Sequence, residues 1–582
     1  MISCRLSRRS SLAADVLALA AVALLALAGP TQGADAGLAE EQAFHLTLLD
    51  QVVLGPTETV TDVAVDGGFA YVGRGPLGLS IVDISRPGAM RLVAHWDLPG
   101  QLVVNDLAVA NGRAYLTNEA YTGVAVYILD VRVPASPVVI GAILAPLINV
   151  AHNLFIDGET LYVVGHEGVR GWRTRIFDVR DPLVPVLLAE LTTVGAHDIT
   201  VLDDILYEGG GWGGLHIWDV RDPAHPVHLA AADTNAGPRP HFHAHSVWPT
   251  EDRRHVLVMN EIEGWWPGGP IVAGGMRVFR WDGAHTLELA AAWRTDAAAG
   301  VPSLAIHNVV VRGRHAFVSY YQAGLRVLDI ADPEHPVEVG FFDTRPSAPG
   351  ALFEGCWGVA LGEGSDPLIY ASDRQRGLYQ FRFDGARRAA LAGRVTSATT
   401  SLPIPGAEVR MMSAGRRLHA DMAGDIATLT GEGRQEILAS APGYEGRRIA
   451  IELAGDRATE LAIALSPIGA SGVGEEAPGG AGVQAASALH LEPAFPNPFH
   501  TMVAIPYSVG GAVRRGDRVR LSIHDAAGRC VRVLGDAQVT SERVVARWDG
   551  RDTLGRVLPN GVYFTHLIAG DAEASGRVEL LR

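Results

Sequence analysis

The chain contains a repeated segment in which an apolar run ends in Asp, turns at an Asp-Pro-like sequence and continues as a second apolar run. The clearest copy is LRVLDIADPEHPVEVG at 325–340. The equivalent positions of successive copies lie 41 to 61 residues apart. A period near 50 residues with alternating apolar residues predicts propeller blades rather than separate domains. The copies start at Leu79, Val126, Arg175, Leu215 and Leu325, with weaker ones at Met276 and Leu378.

Each repeat is predicted to form four strands. In the fourth repeat, the runs DITVL, ILYEGG, GLHIWDV and PVHLAAA alternate in strand fashion and are separated by Gly and Asp-Pro turns. We therefore predict an all-β chain with a seven-bladed β-propeller at 43–385. The seventh repeat lacks an outer strand, so the apolar segment 45–54 is expected to supply it and close the ring.

Three of the repeats carry the runs SIVDI at 80–84, YILDV at 127–131 and RVLDI at 326–330. With the turns that follow them, these runs resemble the LVIVD-repeat family of secreted bacterial propellers. The resemblance covers roughly 340 residues and implies the propeller fold and a surface location. It implies no reaction, because most members of that family are uncharacterised.

The N-terminus has the pattern of a signal peptide, predicted at 1–36. Three arginines among the first nine residues precede an apolar stretch at 16–28 and a small-residue cleavage site at 34–36. The segment 7–12, SRRSSL, leaves a twin-arginine signal open beside ordinary export. Thirteen apolar residues are too few for a transmembrane anchor. The net charge of −16 argues against nucleic acid as a partner. We expect an exported protein, secreted or on the outer surface of a Gram-negative-type bacterium.

Residues 388–467 form a further predicted β unit. The segments GRV at 393–395, PIPGAEVR at 403–410 and LASAPGY at 438–444 resemble the carboxypeptidase-regulatory-like domain. That resemblance implies a small transthyretin-like β-sandwich that serves as a spacer or adhesion module. The following segment, 468–488, is rich in Gly and Ala and is predicted to be a flexible linker.

The C-terminal segment 489–582 is expected to be a second small β-sandwich. FPNPF at 495–499, VRLSIHDAAGR at 519–529 and LPNGVYF at 558–564 resemble the sorting and FlgD Ig-like domain of exported bacterial proteins. The resemblance implies type IX secretion (a T9SS type A sorting domain), with the outer-membrane export machinery as partner. Its last strand carries Arg577 and Arg582 where Lys is common, so an ordinary Ig-like stalk is the alternative.

Histidines recur at the start of the predicted innermost strands of four consecutive repeats. Because innermost strands surround the channel of a propeller, these side chains are expected near one channel mouth. In the fifth repeat, His241 and His243 alternate with His245 and lie on the same side of an extended chain. The residues that open the seven innermost strands are Thr61, Asn105, His152, His197, His245, His307 and Cys356.

Further polar and aromatic side chains are predicted at the same face. The ends of the second strands supply candidate ligand-binding residues, and an insertion in the fifth repeat contains two adjacent tryptophans. These tryptophans suit a stacking platform or lid, and the alternative is a loop packed over the rim. The candidates are Glu119, His166, Glu208, Glu261, Trp265 and Trp266.

Imidazole and carboxylate groups together are ligands for Zn, Cu or Fe. The candidate metal ligands are His152, His197, His241, His243, His245 and His307. The alternative is structural, because a repeated His can simply bond the neighbouring repeat. The sequence contains no HExxH, paired CxxC, nucleophile elbow or P-loop, and Cys356 is expected to be a packed thiol, so no catalytic residue is assigned. A module that binds an extracellular ligand or protein is therefore favoured. An extracellular metal-dependent hydrolase or oxidoreductase is the alternative.

Overall fold

The structure is a computed structural model, and it confirms the all-β class. In the part of the chain that it describes there are strands and no α-helix, and hence no helix able to cross a membrane. The described residues are 43–55, 60–97, 102–166, 171–193, 195–234, 242–263, 272–295, 305–344, 353–364, 368–468, 489–491, 494, 499, 502–509, 518–525, 530–538, 543–553, 556–569 and 572–581.

Residues 43–383 form seven sheets. Two strands come first, β1 (Ala43–Phe44) and β2 (Leu46–Val52). The first sheet contains β3 (Val63–Asp66), β4 (Phe69–Gly73), β5 (Leu79–Asp83) and β6 (Arg91–Trp96). The second contains β7 (Leu107–Ala110), β8 (Arg113–Thr117), β9 (Val124–Asp130) and β10 (Val138–Leu144). The third contains β11 (Val150–Asp157), β12 (Thr160–His166), β13 (Trp172–Asp178) and β14 (Val186–Glu190).

The remaining four sheets follow in the same order along the chain. The fourth contains β15 (Asp198–Leu202), β16 (Ile205–Gly209), β17 (Leu215–Asp219) and β18 (Val227–Ala232). The fifth contains β19 (Val247–Pro249), β20 (His255–Glu263), β21 (Val272–Trp281) and β22 (Leu287–Trp293). The sixth contains β23 (Val309–Arg312), β24 (His315–Ser319), β25 (Leu325–Asp329) and β26 (Val337–Phe342). The seventh contains β27 (Cys356–Leu361), β28 (Ile369–Asp373) and β29 (Gly377–Phe383).

The sheets are arranged in a ring through their first strands. Within each sheet the strands are antiparallel, and each pairs with the next strand along the chain. The first strand of each sheet lies beside the first strand of the following sheet, from β3 to β27. Strand β27 in turn lies beside β3. Four-stranded sheets whose first strands surround an axis are typical of a propeller.

The two N-terminal strands complete sheets from the other end of this region. Strand β2 pairs antiparallel with β29, with Leu46 opposite Phe383, and is the fourth strand of the seventh sheet. Strand β1 pairs with β26, with Phe44 opposite Phe341, and is a fifth strand of the sixth sheet. Both pairings cover strand edges that would otherwise be open to another chain.

Residues 388–465 form two sheets around one apolar core that includes Val395, Val409 and Ile463. The sheet orders are β33-β30-β36, in which β30 and β36 are parallel, and β32-β31-β34-β35. Phe44 and Phe341 belong to the same core. The strands are β30 (Arg388–Ser397), β31 (Glu408–Met411), β32 (Arg416–His419), β33 (Asp425–Gly431), β34 (Gly433–Ser440), β35 (Arg447–Leu453) and β36 (Ala458–Leu465).

The C-terminal segment also has two sheets and a core of its own, which contains Phe499 and Trp548. The sheet orders are β37-β38-β41 and β40-β39-β42-β43. The assignments of both C-terminal units to the transthyretin-like and Ig-like classes stay predictions. The strands are β37 (Leu489–Leu491), β38 (Val503–Val509), β39 (Arg518–His524), β40 (Cys530–Gln538), β41 (Arg543–Trp548), β42 (Gly561–Ala569) and β43 (Ala572–Leu580).

Candidate functional site

Four histidines from successive sheets form a continuous row of rings, which we call the histidine ring: His152, His197, His245 and His307. The ring centroids of successive members are 4.5, 4.2 and 4.7 Å apart. The backbone fixes three of these positions in the same way. The N–H groups of His197, His245 and His307 each donate to a carbonyl of the second strand of their own sheet.

The seventh sheet contributes Trp357 to this row, with its ring 4.4 Å from that of His307. The alignment of Cys356 with the histidines is wrong by one residue. The N–H of Gly358 donates to Ser372 Oγ, as the N–H of Asn308 donates to Ser319 Oγ, so Trp357 is equivalent to His307. Cys356 is a fully buried thiol within the apolar core.

His245, Glu261 and His307 bring three potential metal-ligand atoms close together. One ligand atom from each of these three residues lies within 4.8 Å of the other two. His245 Nε2 is 3.7 Å from Glu261 Oε2, and the Tyr321 hydroxyl donates to Glu261 Oε1 at 2.6 Å. The two histidines are only 4 % and 6 % exposed, yet Nδ1 of each has no hydrogen-bond partner in the described residues. Buried polar atoms without partners are rare in proteins and need an explanation.

The imidazoles of this group are held in the neutral form. Burial lowers the pKa of His307 to about 3 and that of His245 well below the ordinary value. Burial and the neighbouring histidines likewise lower the pKa of His197. Burial raises the pKa of Glu261 to about 7, although the hydrogen bond from Tyr321 opposes this effect. Neutral imidazole is the form that binds a metal ion.

His152 differs from the other members because Glu119 pairs with it. Glu119 Oε1 lies within hydrogen-bond distance of His152 Nδ1. Burial lowers the pKa of His152, but the charge and hydrogen bond of Glu119 outweigh burial, and the net pKa is raised. The ring therefore combines one imidazole that protonates readily with three that do not.

The other candidate residues divide into those beside the ring and those elsewhere. His243 lies 5.2 Å from His197 and 5.0 Å from the half-exposed Trp212, measured between ring centroids. His166 contacts Trp172, whose ring is 5.7 Å from that of His152. His241, Trp265 and Trp266 lie outside the described residues.

Glu208 is buried and fully bonded away from the histidines. Its carboxylate accepts hydrogen bonds from Thr174 at 2.6 Å, Thr193 at 2.5 Å and Trp218 Nε1 at 3.3 Å. Burial raises its pKa, and these three donors oppose the rise. These bonds connect β16 with β17 and with the third sheet.

The residues that directly follow Thr61, Asn105 and His197 are acidic: Asp62, Asp106 and Asp198. Asn153 donates to Asp106 Oδ2 at 2.8 Å, and Asn308 donates to Asp62 Oδ2 at 3.0 Å. The bond between Asn308 and Asp62 connects the sixth repeat with the first and passes the seventh, in which Gly358 is the residue equivalent to Asn308. A Cβ on Gly358 would lie 2.0 Å from Asp62 Oδ1, so only glycine leaves room for this bond.

Comparison with known proteins supports the repeats directly. The LVIVD repeat family matches residues 59–97, 195–234 and 306–344. The chain therefore contains LVIVD repeats, as predicted. No curated protein sequence matches the chain.

Two solved structures align with a third of the chain. One, from Bacteroides uniformis, is provisionally described as a carbohydrate binding protein. It is 7 % identical in sequence, the alignment covers 33 % of this chain and 99 % of that chain, and the TM-score is 0.16. The other is a DUF3823 family protein from Bacteroides ovatus, with 8 % identity, 33 % and 98 % covered, and a TM-score of 0.16. TM-scores of this size support no statement about fold or function.

Proposed function

We propose that this chain is an exported, seven-bladed β-propeller that binds an extracellular ligand at one mouth of its channel. A transition-metal ion held by His245, Glu261 and His307 forms the centre of this binding site. The observation that carries the proposal is the convergence of three ligand atoms within 4.8 Å, two of them on buried imidazoles that each keep an unpartnered nitrogen.

The donor set selects the class of metal. Two imidazoles and one carboxylate suit Zn, Cu or Fe, whereas Ca and Mg prefer sites built from oxygen ligands. Three protein ligands leave coordination positions open for an added ligand. Tyr321 donates to Oε1 of Glu261, whereas the other oxygen, Oε2, lies nearest His245. Hydrogen-bond donors commonly orient a metal-binding carboxylate in this way.

The experiment is metal analysis of the purified mature chain after reconstitution with Zn, Cu or Fe and removal of excess metal. The parent is expected to retain one metal ion per chain, and His245→Ala with His307→Ala to retain none. His335→Ala is the matched control, because this exposed histidine of the sixth repeat lies on a turn, where it pairs with Asp332. A parent that retains no metal, or a double variant that retains as much as the control, contradicts the proposal.

A metal-dependent hydrolase or oxidoreductase is the second candidate, and the His152–Glu119 pair favours it. His152 belongs to the same ring as the metal site, and its pKa is raised because the charge and hydrogen bond of Glu119 outweigh burial, so this imidazole is suited to accept a proton. Turnover of a chromogenic ester or a phenol by the loaded protein, abolished in His152→Ala with the metal retained, is the result expected of an enzyme.

The remaining units are proposed to serve delivery and display. The signal-like segment 1–36 would direct the chain out of the cytoplasm. Residues 388–467 would act as a spacer, and residues 489–582 would engage the outer-membrane export machinery. These proposals are supported by the sequence resemblances and by the separate apolar core of the last segment.

A further inference from the structure

Arg374 is a cation beside the proposed metal site. Its guanidinium N–H groups are available to donate hydrogen bonds to a ligand. It directly follows β28, and its guanidinium carbon lies 4.6 Å from the centroid of the Trp357 ring. Stacking on an aromatic face holds a guanidinium in place while leaving its N–H edge open. No side-chain hydrogen bond or ion pair of Arg374 is found within the described ranges.

Arg374 is close to the metal ligands through two aromatic contacts. The Trp357 ring is 4.4 Å from that of His307 and 5.7 Å from that of Tyr321, which bonds Glu261. The charge of Arg374 also acts on the ligands. It opposes the burial that raises the pKa of Glu261, and it adds to the burial that lowers the pKa of His307.

A metal ion at this site together with Arg374 favours an anionic ligand. A divalent metal ion with one carboxylate ligand keeps a positive charge, and Arg374 adds another. The Glu119–His152 pair is neutral when His152 is protonated. Among the described residues, Arg374 is the one arginine whose charge reaches both Glu261 and His307. A single guanidinium fork matches the two oxygens of one carboxylate.

We infer that the ligand of this site is a small molecule with a carboxylate group, bound jointly by the Arg374 guanidinium and the open coordination positions of the metal. The inference rests on the proposed metal site and names the chemical class that this site selects. It implies binding only and requires no chemical change of the ligand.

The test uses the full mature chain loaded with Co²⁺, whose visible absorption responds to a new ligand. Acetate, uncharged acetamide and inorganic phosphate are titrated against the parent, Arg374→Gln and Arg376→Gln. Arg376 is the matched control, because it is exposed and changes the net charge equally. We expect acetate to perturb the spectrum of the parent, a dissociation constant at least tenfold higher in Arg374→Gln, and a change below twofold in Arg376→Gln. Acetamide should have no effect.

Two kinds of failure can be told apart in this experiment. If the parent does not take up Co²⁺, the proposed metal site fails and the inference fails with it. If both variants bind Co²⁺ stoichiometrically and bind acetate equally well, the metal site stands and the role of Arg374 is overturned. Phosphate binding at least tenfold tighter than acetate overturns the choice of carboxylate.

Discussion

Three aspartates next to the histidine ring have raised pKa values. Burial raises the pKa of Asp62 to about 6, and burial with the charge of Asp62 raises that of Asp198 to about 7. Burial, followed by the charges of the other two, raises the pKa of Asp106. In the unfolded chain these groups titrate near pH 4. At these three positions the folded state therefore binds more protons than the unfolded chain between about pH 4 and 7, so their contribution to stability falls as the pH rises through that window.

Asp198→Asn should remove one of these unfavourable ionisations. We expect the metal-free variant to be more stable than the parent at pH 8 by at least about 1 kcal/mol, because one pH unit of pKa displacement corresponds to about 1.4 kcal/mol. At pH 4 the difference should vanish. Urea midpoints of parent and variant across this range give the difference directly.

The control for this prediction is Asp222→Asn, on an exposed turn where His225 and a backbone N–H lower the pKa of the carboxyl. It should not gain stability at pH 8. A constant difference between Asp198→Asn and the parent from pH 4 to pH 8 would show that Asp198 does not titrate in the folded state within this range.

The histidines of the ring could be predicted from the sequence, whereas their aromatic neighbours could not. Equivalent positions in successive repeats occupy equivalent places in successive sheets. Alignment of the repeats therefore predicts that the four histidines of the ring lie together. Trp357 was missed because the pairing of β27 with β28 has an irregularity between Cys356 and Gly358, which shifts the register by one. Arg374 was missed because its position depends on Trp357.

At the scale of elements, the outer strand of the seventh sheet could be predicted from the sequence, because the seventh repeat contains only three strand segments. The segment at 45–54 alternates like a strand, and the structure pairs β2 with β29. Strand β1 was not foreseeable, because two residues show no alternation. Arg280 replaces the usual Asp in the fifth repeat, but Asp282 accepts the N–H of Ala284 and keeps an Asp turn two residues later.

Phe44 on β1 should contribute more to stability than its short strand suggests. It is 8 % exposed and lies 6.2 Å from Phe341, measured between ring centroids, in the core of the 388–465 unit. We expect Phe44→Ala to lower the free energy of unfolding by about 3 kcal/mol, as for other buried Phe residues. Denaturant unfolding of the mature chain provides the measurement.

Leu48→Ala on the neighbouring strand β2 is the control, because Leu48 is 39 % exposed and loses little burial. Its effect should stay below about 1 kcal/mol. If Phe44→Ala and Leu48→Ala lower the free energy of unfolding equally, Phe44 does not stabilise the packing of β1 against the 388–465 unit.

For the whole molecule, ionic contacts and a shared core connect residues 43–383 with the unit that follows. Arg314 donates to Asp456 at 2.9 Å, and Nε of Arg388 lies 3.8 Å from Oδ1 of Asp329. Phe44 and Phe341 lie in the core of the second unit. These two regions should therefore unfold together.

The described core residues of the C-terminal segment, by contrast, come from that segment alone. A chain lacking 489–582 should therefore keep the melting temperature and metal content of its first two units. If this segment directs export, the truncated chain should remain in the periplasm, whereas the full chain reaches the medium or the outer surface. Cell fractionation with an antibody against the propeller measures this.

Arg577→Lys, which introduces the residue common in sorting domains, is the matched variant and should be exported at least as well as the parent. A folded truncated chain found outside the cell would leave the segment as a stalk rather than a sorting domain.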